Sequence, residues 1–110
     1  MNLTQPTPQA LPFAEEAVRL GNQEFGPDHP ATATLLTNLA ELYLAQGKYA
    51  EAETLSQRSL EIFEKALGPD HPKVATSLEN YATLLRDTKR EDKAEEIETR
   101  AKAIRAKLAE

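Results

Sequence analysis

The amino-acid sequence predicts an all-α protein folded as a short solenoid of helical hairpins. Of its 110 residues, 17 are alanine and 15 are leucine, and both are strong helix formers. The seven prolines are confined to the N-terminal segment and to two short islands, which leaves 31–67 and 73–110 without an interior proline. The chain also repeats itself at an offset of 42 residues, and a period of roughly 20–50 residues is typical of solenoids.

Direct self-comparison reveals the repeat. The pentapeptide GPDHP occurs at 26–30 and again at 68–72, and the ungapped alignment of 26–68 with 68–110 contains 16 identical positions. Within each period the apolar residues recur at helical spacing in two stretches. Each unit is therefore predicted to be a hairpin of two helices that buries its apolar face against the next unit.

The N-terminal part of the chain is predicted to contain a lead-in and a half repeat. Residues 1–12 have three prolines and no hydrophobic periodicity, so we expect them to be disordered. Residues 13–25 align with 55–67, and this alignment predicts the second helix of a repeat whose first helix is missing. The total is five helices, or about two and a half repeats.

Repeat one is predicted to span 30–67, with one helix at about 30–46 and another at about 49–67. Gly47 supplies the tight turn between them, because glycine tolerates a positive φ angle freely.

Repeat two is predicted to span 72–109 and to end in a capping helix, although Lys89 stands where repeat one has glycine. A cap needs only one face to bury, and this helix has a single narrow apolar stripe surrounded by charged residues. A coiled coil is the alternative, but the stripe covers only two heptads. The stripe consists of Ala94, Ile97, Ala101, Ile104 and Leu108.

Composition argues against several classes of protein. The chain has no cysteine, and 18 acidic against 13 basic residues give a net charge of −5, the opposite of the usual balance in a nucleic-acid-binding domain. No apolar run approaches the ~18 residues that a membrane helix needs, and the N-terminus lacks the pattern of a signal peptide. We therefore expect a soluble, cytoplasmic protein that binds neither nucleic acid nor membrane and needs no cofactor.

The sequence also argues against catalysis and metal binding. His29 and His71 each follow an aspartate, but both occur in the repeated turn, where Asp28 or His29 can hydrogen-bond the free amides at the start of the next helix. Adjacent carboxylates such as Glu95 and Glu96 diverge by about 100° on a helix. We therefore predict no catalytic residues and no metal site.

Eight residues of repeat one occur in an order and at a spacing that are characteristic of a known repeat family. Together with the 42-residue period and the motif LGPDHP at 67–72, this set is similar to the tetratricopeptide repeat, most closely the kinesin-light-chain type. The resemblance implies a right-handed α-solenoid whose first helices line a concave groove for an extended peptide or a partner helix. The residues are Leu36, Leu39, Ala40, Tyr43, Gly47, Tyr49, Ala52 and Ser59.

The polar face of the first helix in each repeat gives the candidate binding residues. Asn38 and Asn80 occupy equivalent positions, and an asparagine in the groove can bond a peptide backbone through both its C=O and its NH₂ group. Alternatively, the two asparagines bridge adjacent repeats. The other predicted groove residues are Thr34, Thr37, Glu41, Thr76, Glu79, Thr83 and Arg86.

A homodimer is also predicted. The helix at 13–25 has two apolar stripes, and only one of them can pack on repeat one. The stripe of Phe13, Ala17 and Leu20 is then free to pair with a second copy. Two functions thus remain open: a non-catalytic protein-interaction module that binds a peptide or protein partner, and a self-assembling spacer with no peptide ligand.

Overall fold

The computed structural model describes residues 10–110, and five helices make up most of that range. They are α1 (Ala10–Glu24), α2 (Pro30–Ala45), α3 (Tyr49–Leu67), α4 (Pro72–Asp87) and α5 (Glu91–Leu108). This part of the chain contains no strand, and the prediction of an all-α fold with five helices is confirmed.

The first helix begins earlier than the sequence predicts. Of the lead-in predicted for residues 1–12, residues 1–9 lie outside the described part of the chain, whereas 10–12 belong to α1. Pro12 is accommodated because it lies in the first helical turn, where a backbone amide has no partner within the helix.

Successive helices pack against each other along the solenoid. Helices α2 and α3 form one hairpin and α4 and α5 the next, while α1 packs on α2 and α3 packs on α4. The hydrophobic core runs through both hairpins: one buried cluster contains Leu36 of α2, Phe63 of α3, Leu78 of α4 and Ile104 of α5. Each repeat therefore depends on its neighbour for burial of its apolar face.

The repeated pentapeptide is a helix-starting turn. Nδ1 of His29 accepts a hydrogen bond from the Ala31 amide at 2.9 Å, and Nδ1 of His71 accepts one from the Lys73 amide at 3.1 Å. In both copies the proline that follows is the first residue of the helix, where its missing N–H costs nothing. Of the two residue types proposed as caps, aspartate and histidine, it is the histidine that makes this bond in both copies. Each copy of the pentapeptide therefore has a structural role in the fold.

The turns inside the two hairpins share one backbone conformation. Gly47 has φ +76°, and Lys89 at the equivalent position has φ +62°, the one positive φ of a non-glycine residue between 10 and 110. A left-handed conformation costs an L-residue roughly 1–2 kcal/mol. The turn at Lys89 also contacts repeat one, because the neighbouring Arg90 forms an ion pair with Glu53 of α3 at 2.5 Å.

Helix α5, the predicted cap, buries most of its predicted apolar stripe. Ala94, Ala101 and Ile104 are buried, and Ile97 packs against the core. Leu108 is 48% exposed, in the last turn of the helix. The buried part of the stripe therefore ends at Ile104.

Candidate functional site

A cavity of about 210 Å³ lies between the first helices of the two repeats. Its walls come from α2 and α4, and Phe63 is the contribution of α3. Because three helices converge here, the site depends on how the two hairpins stack. The lining residues are Thr34, Thr37, Asn38, Phe63, Lys73, Thr76, Ser77 and Asn80.

A second, smaller cavity of about 30 Å³ continues the first toward the C-terminal ends of α2 and α4. Thr37 and Asn80 line both cavities, so the two form one continuous groove. Glu41 lies beside the smaller cavity. The other residues lining it are Ala40, Leu44, Ser56 and Leu84.

The threonine hydroxyls of the groove already have hydrogen-bond partners. Thr34 donates to the Pro30 carbonyl at 3.2 Å and Thr76 to the Pro72 carbonyl at 3.3 Å. The hydroxyl of Thr37 donates to the Ala33 carbonyl at 3.0 Å and lies 2.6 Å from the hydroxyl of Ser59. These hydroxyls are therefore poor candidates for additional donors to a ligand.

The two asparagine amides differ from the threonines. Asn38 and Asn80 are both exposed, and between residues 10 and 110 neither side chain has a hydrogen-bond partner. A bridge between repeats would require such a partner. Each amide thus keeps an acceptor and two donor hydrogens for a ligand.

Three of the predicted groove residues line neither cavity. Glu79 accepts hydrogen bonds from the guanidinium of Arg105 in α5 at 3.0 and 3.3 Å. Thr83 donates to the Glu79 carbonyl at 3.1 Å and is exposed. Glu79 lines neither cavity because its carboxylate is held by Arg105 of α5.

The third, Arg86, is also held by α5. Its guanidinium bonds Glu98 at 2.6 Å and Glu91 at 2.9 Å. These two bonds raise the pKa of Arg86, and the bond from Arg86 lowers the pKa of Glu98. Both carboxylate partners of Arg86 are on α5, so its charge is already paired and its side chain lines neither cavity.

The predicted set of groove residues omits three residues that line the larger cavity: Phe63, Lys73 and Ser77. The ammonium group of Lys73 lies 5.8 Å from the centre of the Phe63 ring, within the range of a cation–π contact. The sequence could have indicated Phe63, because it follows Ser59 by four residues and therefore lies on the same buried stripe of α3.

Other depressions on the surface lack converging walls. One is lined by residues of α3 alone, including Thr54, Arg58 and Glu61, and another by residues of α5 alone, including Asp92 and Glu95. A ligand there would contact a single helix, and binding sites are normally concave. The groove between α2 and α4 is therefore the better candidate.

The outer face of α1 is apolar and exposed. Phe13 is 74% exposed and Leu20 is 44% exposed, whereas Ala17 is half-buried. On the opposite side, Val18 packs against the core, and Gly21 is so close to α2 that a Cβ atom would lie 2.6 Å from Cδ1 of Leu35. Helix α1 thus packs on repeat one through one of its two stripes.

No group of three or more potential metal-ligating side chains occurs within residues 10–110. None of the five helices is long and apolar enough to cross a membrane.

Comparison with known proteins gives a family and a solved structure. A sequence profile of the family described as "Tetratricopeptide repeat" matches residues 3–65 and again 31–107. The crystal structure of BtubC (BKLC) from P. vanneervenii is similar, with a TM-score of 0.84 and 28% sequence identity, over 89% of this chain and 39% of that one. The present chain thus spans well under half of BtubC. No curated protein sequence matches it.

Proposed function

Because this chain belongs to the tetratricopeptide repeat family, and to its kinesin-light-chain type, we propose that it binds an extended peptide segment of a protein partner in the groove between α2 and α4. The fold itself supports a protein-interaction or scaffold module, and proteins of this family are generally non-catalytic. The observation that carries the finer proposal is the pair of partnerless amides, Asn38 and Asn80, beside a cavity walled by three helices.

The dimensions of the groove favour a peptide over a free small molecule. Cavities for drug-sized ligands measure roughly 300–1,000 Å³, whereas the larger cavity here measures about 210 Å³. It suits a single apolar side chain packed against Phe63. The side-chain amides of Asn38 and Asn80 then hydrogen-bond the peptide main chain on either side of that residue. Extended peptides allow this recognition because their backbone groups are free to bond.

The test begins with a selected peptide and a substitution that fills the cavity. Peptides are selected from a random display library, and the best is measured by calorimetry against the parent protein and against Thr34→Trp. Thr34 is exposed and lines the cavity, so the indole should occupy the space of the ligand side chain. We expect affinity to fall roughly tenfold, the loss of about 1.4 kcal/mol.

A matched control is available on the other side of the solenoid. Thr54 is an exposed helical threonine that donates to the carbonyl four residues earlier, as Thr34 does, but it lies on the outer face of α3. Thr54→Trp should bind the selected peptide as the parent does. Equal affinity of the parent and Thr34→Trp would contradict the proposed site, and a library that yields no binding peptide would contradict peptide recognition altogether.

A second candidate function, self-assembly, is favoured by the exposed apolar face of α1. We propose that Phe13, Ala17 and Leu20 pair with the same residues of a second copy, because a two-fold contact covers one apolar patch with another. Sedimentation at ~100 μM should then show a dimer, and Phe13→Glu should convert it to a monomer without loss of the peptide site. A parent protein that sediments as a monomer at this concentration would exclude the dimer.

A further inference from the structure

The groove carries one basic and one acidic side chain that other residues do not neutralise. Lys73 lines the larger cavity and Glu41 the smaller one. Within residues 10–110 neither of them forms an ion pair, whereas Glu79 and Arg86, the other charged residues predicted for the groove, are both paired with α5. The remaining charge of the groove is therefore of opposite sign at its two ends.

The helix termini reinforce this polarity. Helices α2 and α4 run in the same direction, since Thr34 and Thr76 line one cavity while Glu41 and Leu84 line the other. The positive ends of both helix dipoles are thus at the Lys73 end of the groove, and the negative ends are at the Glu41 end.

The charged residues in the turns at the two ends of the groove are not among the residues that line either cavity. At the Lys73 end, Asp70 is paired with Lys107 at 2.8 Å, and Asp28 is exposed in the preceding turn. At the Glu41 end, the ammonium of Lys48 lies 5.8 Å from the centre of the Tyr43 ring. Lys73 and Glu41 remain the charged groups in contact with the groove.

The repeat offset gives the spacing of these two charges along the helix axes, to which the lateral distance between α2 and α4 adds. Lys73 is equivalent to Ala31, which is ten positions before Glu41. Ten residues of helix extend about 15 Å along the axis. An extended peptide covers that distance in about five residues.

We propose that this polarised groove selects a peptide that carries an acidic side chain for Lys73 and a basic side chain for Glu41, about five residues apart, with an apolar residue between them in the cavity. The order of the two charges along the peptide then fixes the direction in which the chain lies. The inference rests on the proposed peptide-binding function and names the class of ligand.

The experiment compares selections from one random library of peptides of about eight residues, long enough to span both charges. The targets are the parent, Glu41→Lys, Lys73→Glu and the control Glu61→Lys. Glu61 is an exposed glutamate on the outer face of α3. Melting temperatures of all four proteins verify that the substitutions leave the fold intact.

We expect the parent and Glu61→Lys to enrich peptides with one acidic and one basic residue around an apolar one. Glu41→Lys should enrich peptides with two acidic residues, and Lys73→Glu peptides with two basic residues. For the best parent peptide, each reversal in the groove should weaken binding roughly three- to tenfold at low salt, and most of that difference should disappear at ~1 M salt.

The outcomes separate this inference from the function on which it rests. If the parent and both groove variants enrich peptides with the same charges, the charge selection is refuted while peptide binding stands. If the parent enriches no peptides at all, both the selection and the proposed function are refuted.

Discussion

Replacing Leu78 by alanine should lower the free energy of unfolding by about 2–5 kcal/mol, the usual range for a buried leucine. Leu78 is 0% exposed and belongs to the cluster that joins residues of α2, α3, α4 and α5. Truncation therefore leaves a cavity at the contact between the two repeats. Because small domains are stable by only about 5–15 kcal/mol, the loss is a large fraction of the total.

Leu42 provides a control of the same chemistry. It is half-buried, although Leu84 at the equivalent position of repeat two is 1% exposed. Leu42→Ala removes less buried apolar surface and should cost clearly less than Leu78→Ala. Urea and thermal unfolding of both variants give the comparison. A melting temperature of Leu78→Ala within a degree of the parent would contradict a shared core.

The helices were predictable because local and long-range signals agree. The GPDHP islands mark where α1 and α3 end and where α2 and α4 begin, and the period assigns the same elements to both repeats. The predicted range of 49–67 matches α3, and 30–46 extends one residue beyond α2. The first turn of α1 escaped prediction because prolines indicate a lead-in as readily as a helix start.

The candidate site was less predictable, because equivalent positions need not have equivalent neighbours. Thr37 and Glu79 correspond at the offset of 42 and both received a groove role. In the structure Thr37 bonds Ser59 of its own hairpin, whereas Glu79 is held by Arg105, which stands where repeat one has Phe63. A period identifies which positions correspond, but the side chains of the partner helix decide which of them stay available.

Asparagine substitutions in the groove should weaken the binding of every selected peptide. Asn38 and Asn80 bond the peptide main chain in the proposed complex, and that main chain is present in every ligand. Losing one such bond while its partner stays buried costs about 1–3 kcal/mol, or about 5- to 150-fold in affinity. Asn38→Ala and Asn80→Ala should each show this loss for all selected peptides, whatever their charges.

Calorimetry and thermal melts of the same variants decide between a ligand-binding and a structural role. Asn22 is an exposed asparagine on α1, remote in sequence from both cavities, so Asn22→Ala should bind as the parent does. Weaker binding by Asn38→Ala and Asn80→Ala with an unchanged melting temperature supports the groove, since exposed amides without partners contribute little to folding. Unchanged binding with a lowered melting temperature would mean that the asparagines stabilise the stacking of repeats and that the peptide lies elsewhere.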